Sequence, residues 1–459
     1  MTTFALPQLA SSPPTPSTAP EAPSKPLGAQ TEVGNYFVAN YPPFGHWTTG
    51  RVRDLHAALA QEPVAGTDLG VYLHIPFCRK RCHFCYFRVY TDKNSREIRS
   101  YLDAALAELE TYARTRLIAG RKPKFIYFGG GTPSYLSPDQ LRYLTDGMKR
   151  ILPWDQAEEI AFEGEPGTLN ETKLRTLREL GVTRLSLGIE HLDDRILEIN
   201  GRAHRSKEVF RAFETARAMG FAQINVDLIA GMLEETDALW DDTVARTLAL
   251  GPDSVTIYQM EIPYNTTIYQ QMKASGSLVA PVADWATKRR WVQRAFSTFE
   301  SAGYTVTAAT TVTKNPSTTK FLYRQGLFDG SDLLSVGVSS FGHLRGVNYQ
   351  NDHHFDPYIQ SLQAGQLPVY RAYGLSDSER YIREIALQLK NGSVSIEAFT
   401  KKFGVDPRVR FAEALGKLEA MGALVDDPGR ITFTREALMN ADRLIYEFFL
   451  PEHREGRYA

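Results

Sequence analysis

The sequence is short of cysteine. Its 459 residues hold three, Cys78, Cys82 and Cys85, all in one short stretch. An odd count confined to one loop argues against a disulfide framework. Thiols left free fit a reducing compartment, so a cytoplasmic location is expected. Net charge is lacking too: 52 basic side chains against 53 acidic ones leave −1. That balance asks for neither nucleic acid nor an anionic membrane as partner. No apolar run reaches about 18 residues, so no membrane span is expected.

Residues 1–34 lack the means to fold. The run ASSPPTPSTAPEAPSKP cannot bury enough apolar surface to order itself, and a disordered tail is expected. It has no basic n-region or apolar h-region of a secretory signal, and no arginine of a transit peptide. The composition then turns aromatic, in NYFVANYPPFGHW. Residues 35–66 are expected to pack as an arm over one mouth of the core.

What the sequence does have is a loop that collects every cysteine, within VYLHIPFCRKRCHFCYFRVYTDKN from Val71 to Asn94. A short strand, Val71–Ile75, leads in, and Pro76 stops it because proline cannot donate to a ladder. The spacing is C-x3-C-x2-C, with Phe84 before the last cysteine. Arg79, Lys80, Arg81 and Arg88 make the loop cationic, which favours thiolates. Thiolates are the soft ligands of iron–sulfur clusters. Three of them can hold three irons of a cubane and leave the fourth open. Zinc, with His74 or His83 as fourth ligand, is the competing reading. Zinc sites usually split their ligands into two separated pairs, and no second pair exists here.

From Leu69 strands and helices alternate. Strands are expected at Val71–Ile75, Phe125–Phe128, Glu159–Glu163, Arg184–Leu187, Ile224–Leu228 and Ser254–Tyr258, each short and apolar as buried parallel strands are. Helical patterns lie between and after them, at Arg96–Thr115, Pro138–Ile151, Glu171–Leu180, Lys207–Met219, Asp237–Leu250 and Asp284–Ala302. Such alternation implies right-handed crossovers, a parallel sheet and sites at the strands' carboxyl ends. The expected fold is α/β, a partial (β/α)6 barrel over 67–310.

Residues able to do chemistry fall at or near those ends. Gly129-Gly130-Gly131-Thr132-Pro133 exposes backbone N–H groups to a ligand. Glu163 and Glu165 stand two apart and are expected on one strand face, where burial would raise a pKa. Glu190, Arg202 and Asp227 follow, and Glu261 could reach the cleft. His353 and His354 are expected to be solvated.

These strings resemble the radical S-adenosylmethionine (SAM) superfamily. Tyr72-x-His74-Ile75-Pro76-Phe77-Cys78, the glycine turn, GVTRLSLGIE, NGRxH and NVDLIxG narrow the likeness to its HemN-like branch. That branch includes oxygen-independent coproporphyrinogen III oxidase, the haem chaperone HemW and HemN-like methyltransferases. The resemblance implies a [4Fe–4S] cluster on Cys78, Cys82 and Cys85, with SAM chelating the open iron and cleaved to a 5′-deoxyadenosyl radical. It implies catalytic roles for Glu163 and Tyr72. It implies first-SAM contacts at Tyr72, Phe84, Gly130, Gly131, Thr132 and Glu163, and a second SAM at Glu190, Arg202 and Asp227. Met260 and Phe341 complete the implied cofactor set. The segment Leu333–Gly342 would lie across the barrel mouth near the adenine, within an extension at 311–374. The arm would lie near the site, making Tyr41 and His46 candidates.

Two positions depart from the pattern. Glu190 replaces the usual glutamine, turning a donor–acceptor into a group that only accepts when ionised. Phe87 stands where the coproporphyrinogen enzyme has a further cysteine.

Residues 375–459 read as a winged-helix-like HemN-type domain. Helices are expected at Asp377–Leu389, Ser395–Phe403 and Pro407–Met421, then a hairpin over Ala423–Val425 and Ile431–Phe433. The resemblance ranks three functions: two-SAM methylation of an sp² carbon, then tetrapyrrole decarboxylation, then haem binding. The implied partners are a tetrapyrrole, quinone or other aromatic substrate and a flavodoxin- or ferredoxin-type electron donor.

Overall fold

The computed structural model describes residues 37–275 and 282–454. The tail expected over 1–34 lies outside them, as do the first two residues of the arm.

Six parallel strands run β1 (Leu69–Ile75), β2 (Phe125–Gly130), β3 (Glu159–Gly164), β4 (Arg184–Glu190), β5 (Gln223–Ala230) and β6 (Ser254–Gln259), neighbours in chain order. Each was legible as a short apolar run, and β1 buries every residue except Tyr72. Helices Ser95–Ala113, Pro138–Ile151, Glu171–Glu179, Ser206–Ala218, Asp237–Leu250 and Trp285–Ser301 cover the sheet. Local signals start and stop them. Asn94 with Glu97, and Ser137 with Gln140, form capping boxes. Gly251, at φ +65°, ends Asp237–Leu250 in the left-handed conformation that glycine adopts freely.

The expected six strands are the middle of a twelve-stranded sheet. On one edge β7 (Thr305–Ala308) and β8 (Thr311–Thr313) form a hairpin, and β8 pairs antiparallel with β6. The boundary drawn at residue 310 falls inside this hairpin. On the other edge β9 (Asp332–Val336) lies parallel to β1, followed by antiparallel β10 (Phe341–Leu344), β11 (Val347–Asn351) and β12 (Val369–Gly374). Most of Leu333–Gly342 is thus ladder, in the two strands that follow β1 on this side of the sheet. Unpaired edge strands expose hydrogen-bonding groups, and these additions cover both edges of the parallel core.

The C-terminal domain has helices Asp377–Leu389, Ile396–Phe403, Pro407–Arg410 and Ala412–Ala420, the last two separated at Phe411 where one helix was expected. β13 (Ser393–Ser395), missed in the sequence, joins β14 (Leu424–Val425) and β15 (Arg430–Phe433) in the order β13-β15-β14. Val38 and Tyr41 of the arm belong to this domain's core. Among the described residues no helix is long and apolar enough to cross a membrane.

Candidate functional site

The cysteine loop leaves β1 and is pinned back by backbone bonds. Tyr90 donates its N–H to Pro76 O at 2.8 Å, and Cys78 donates to Tyr90 O at 3.1 Å. Cys78 is buried; Cys82 and Cys85 are half-buried. Thr132 Oγ1 lies 3.2 Å from Cys78 Sγ, and Arg202 Nη1 donates to Cys82 Sγ at 3.3 Å. The loop's own cations do less than expected. Arg79 grips Glu165 with two bonds of 2.9 and 3.1 Å, and Arg81 donates to the carbonyls of Cys85 and Asn265. Burial prevails, pushing Cys78 up to about 11 and Cys85 up to about 12. A soft metal would have to displace the thiol protons on binding. Both histidines of the zinc alternative are engaged through Nδ1, His83 with Ile199 O at 2.9 Å and His74 with the Tyr72 hydroxyl at 3.1 Å.

The glycine turn needs its glycines. A Cβ on Gly131 would stand 3.0 Å from Cys78 Sγ, and one on Gly130 2.7 Å from the His74 ring. Gly130 also sits at φ +115°. Its N–H donates to Glu163 Oε2 at 3.1 Å, while the Tyr127 hydroxyl donates to Oε1 at 2.5 Å. Burial raises Glu163 to about 7 despite these donors, with the charges of Asp227 and Glu190 adding to the rise.

Glu165 does not share that face. β3 ends at Gly164, so the alternation stops, and Glu165 turns to Arg79 and to His204 Nδ1 at 3.1 Å. Those partners outweigh its burial and hold it at about 2.

Glu190 and Asp227 close the acidic group. Glu190 has φ +64° and interrupts the β4–β5 register; a non-glycine residue there costs about 1–3 kcal/mol and marks a constrained site. Its carboxylate lies 3.6 Å from Arg202 Nη2, which also donates to Gly188 O at 2.5 Å. Burial raises Glu190 to about 7, against the pull of Arg202. Asp227 accepts from Ser186 Oγ and Asn225 Nδ2, each at 2.9 Å, and burial raises it as well. Three carboxylates that repel one another, with Arg202 at one side, fit a cationic ligand.

The structure groups the remaining candidates differently. Tyr72 stacks on Tyr127 at 5.9 Å, and Tyr323 stacks on Tyr127 at 4.2 Å. Tyr127 sits two residues before Gly129 on one strand, so period-two alternation could have found it. Tyr323 comes from far along the chain and gave no signal. Phe84 and Met260 share a small apolar group with Ile262 and Ile268. Phe341 stacks on Phe44 of the arm at 4.5 Å. Tyr41 is fully buried with its hydroxyl 2.7 Å from His453 Nδ1, and His46 packs on the same ring, so both serve the arm's seat on the C-terminal domain. Glu261 accepts from Phe37 N at 2.6 Å, and the Phe37 ring meets Tyr258 at 6.1 Å. His354 is exposed, but His353 is half-buried.

A parallel sheet with a three-cysteine loop after its first strand and a glycine turn after its second defines the radical SAM class. The Radical SAM superfamily model matches residues 72–246, and the HemN C-terminal domain model matches 375–439. The chain is 28% identical to heme chaperone HemW of Bacillus subtilis over 381 residues, 82% of this chain and 98% of that one. It is 27% identical to oxygen-independent coproporphyrinogen III oxidase of Pseudomonas aeruginosa over 432 residues, 90% and 93% of the two chains. The solved coproporphyrinogen III oxidase (HemN) of Escherichia coli shares the fold, with TM-score 0.78, 23% identity and 90% and 96% coverage. The chain thus carries a radical SAM domain and a HemN C-terminal domain, and is similar to HemN-like proteins over most of its length. It is a radical SAM enzyme whose cofactors are a [4Fe–4S] cluster and SAM.

Proposed function

We propose that this enzyme is an oxidoreductase that decarboxylates a propionate side chain of a reduced tetrapyrrole. One observation carries the reading. The match to the Pseudomonas aeruginosa oxidase spans 90% of the chain, which takes in at least the end of the arm. In this chain the arm is built into the site, with Phe37 on Tyr258 and Glu261. The methyl transfer ranked first on the sequence finds no support: the relatives reported above are coproporphyrinogen oxidases and a haem chaperone.

Cys78, Cys82 and Cys85 would hold the cluster. Gly130, Gly131, Thr132 and Glu163 would cradle SAM, with Tyr72 alongside. Once bound, cluster and SAM supply a carbon radical that takes a hydrogen atom from the substrate. Glu163 and Glu190, when ionised, would set negative charge against the cationic groups of SAM. Tyr127 and the Gly130 amide hold the Glu163 carboxylate in place. Arg202, by its bidentate fork, suits the carboxylate of a second SAM, and Asp227 its amino group or ribose. Phe84 and Met260 would keep water from the cluster. The hydrogen atom leaves the propionate, carbon dioxide follows, and the remaining electron passes to an external acceptor. A flavodoxin- or ferredoxin-type donor and a cytoplasmic location belong to the same proposal.

The test is anaerobic turnover of reconstituted protein with SAM, dithionite and coproporphyrinogen III. The expected result is substrate-stimulated 5′-deoxyadenosine together with a vinyl product. Substrate methylation with S-adenosylhomocysteine would overturn the reading.

A further inference from the structure

Nine large apolar side chains stay exposed among the described residues. Five of them are aromatic; Tyr258 is met by the arm's Phe37, and the other four lie on segments tied together at the mouth of the barrel: Tyr86 at 41%, Phe87 at 45%, Tyr264 at 54% and Tyr370 at 43%. They come from three separate segments. The cysteine loop and the segment after β6 are tied by Asn265 Nδ2, which donates to Tyr86 O at 2.8 Å. The cysteine loop and β12 are linked through His353, whose carbonyl accepts from the Tyr90 hydroxyl at 3.3 Å and whose ring lies 5.2 Å from Tyr370 on β12. Tyr86 and Phe87 themselves pack at 4.7 Å.

Two arginines stand among these rings. Arg371 is anchored by Gln350 Oε1 at 2.7 Å and by the arm's Phe44 O at 2.9 Å, and it lies in the field of both Tyr264 and Tyr370. Arg88 is exposed and has no ion pair among the described residues; it and Arg371 both act on His353. Exposed aromatic faces beside guanidinium groups are costly to leave in water and are suited to a flat ligand carrying carboxylates. Phe87 takes the place of a cysteine in the coproporphyrinogen enzyme's pattern, so this ring is a feature of the present chain.

We propose that Tyr86, Phe87, Tyr264 and Tyr370 form a stacking platform for the tetrapyrrole, and that Arg88 and Arg371 bind its carboxylates. This assignment rests on the function proposed above and names where that substrate is gripped.

The test uses coproporphyrin III, the stable oxidised macrocycle, and its tetramethyl ester, titrated by fluorescence against the reconstituted full chain. Wild type should bind the acid more tightly than the ester, and the preference should weaken with salt. Arg88→Gln with Arg371→Gln should lose roughly tenfold in affinity for the acid and little for the ester. Tyr264→Ala with Tyr370→Ala should weaken both, with iron content unchanged as the check on folding. If wild type binds the acid and the arginine variant binds it equally well, this assignment falls while the functional reading stands. If wild type binds no tetrapyrrole, both fall. Reduction by an acidic flavoprotein that is lost in the arginine variant, with acid binding intact, would reassign the face to protein docking.

Discussion

The backbone amide of Gly130 donates to the Glu163 carboxylate across 3.1 Å, joining the turn after β2 to the end of β3. Two motifs that read separately in the sequence are one device. Glu163→Gln keeps the shape and removes the charge. SAM affinity should fall about tenfold or more, since a charge-assisted contact is worth roughly twice a neutral one. Iron and sulfide content should stay unchanged. Calorimetric titration with SAM checks this, and an unaltered affinity would remove Glu163 from the site.

Gly130→Ala tests the turn itself. The new methyl group would meet the His74 ring at 2.7 Å in a backbone conformation, φ +115°, that alanine resists. A stability loss of about 1–3 kcal/mol is expected, measured by chemical denaturation, together with loss of 5′-deoxyadenosine formation.

The three thiols make a further prediction. Anaerobically reconstituted protein should carry about four irons and four sulfides per chain, and Cys78→Ala, Cys82→Ala or Cys85→Ala should each abolish uptake. A zinc-loaded protein that takes up no iron would contradict the cluster assignment.

Arg202→Lys keeps the charge but loses the planar fork. If Arg202 holds a second SAM, binding stoichiometry should fall from two to one at moderate SAM concentration, because losing a buried bidentate partner costs roughly 2–5 kcal/mol. Stoichiometry of one in wild type would dismiss the second SAM.

Away from the site, Glu108 is fully buried and accepts from Gly337 N, Asn351 Nδ2 and the Tyr358 hydroxyl. Burial raises it from 4.5 to about 7. The folded chain keeps a proton that the unfolded chain gives up above about 4.5. This contribution to stability is therefore full below pH 4.5, declines between 4.5 and 7, and is flat above. At about 1.4 kcal/mol per pKa unit, the decline is at most roughly 3.5 kcal/mol. Glu108→Gln should flatten that part of the pH–stability curve, read from thermal unfolding at pH 5 and pH 7.5.

Much of this was legible because the signals are local. The six buried strands, the capped helices and the cysteine loop each declare themselves within a few residues. Relations between distant segments were not legible. The third strand was expected to end at Glu163, but nothing near Glu165 said that its carboxylate would be handed to Arg79 and His204. Nothing in NYFVANYPPFGHW said that Tyr41 would join the C-terminal core. The edge strands β7 to β12 are short and take their partners from elsewhere in the chain, and tertiary pairing decides such strands more than propensity does. The cationic loop did not say where its charges would go: Arg79 turns to Glu165 and Arg81 to the carbonyls of Cys85 and Asn265.

The central claim is tested most directly by following carbon in one anaerobic reaction, with deuterated methyl-SAM and coproporphyrinogen III labelled in its propionate carboxyls. The account predicts labelled carbon dioxide released along with 5′-deoxyadenosine, and no deuterium in the tetrapyrrole. Deuterium in the product with the carboxyl label retained would contradict it.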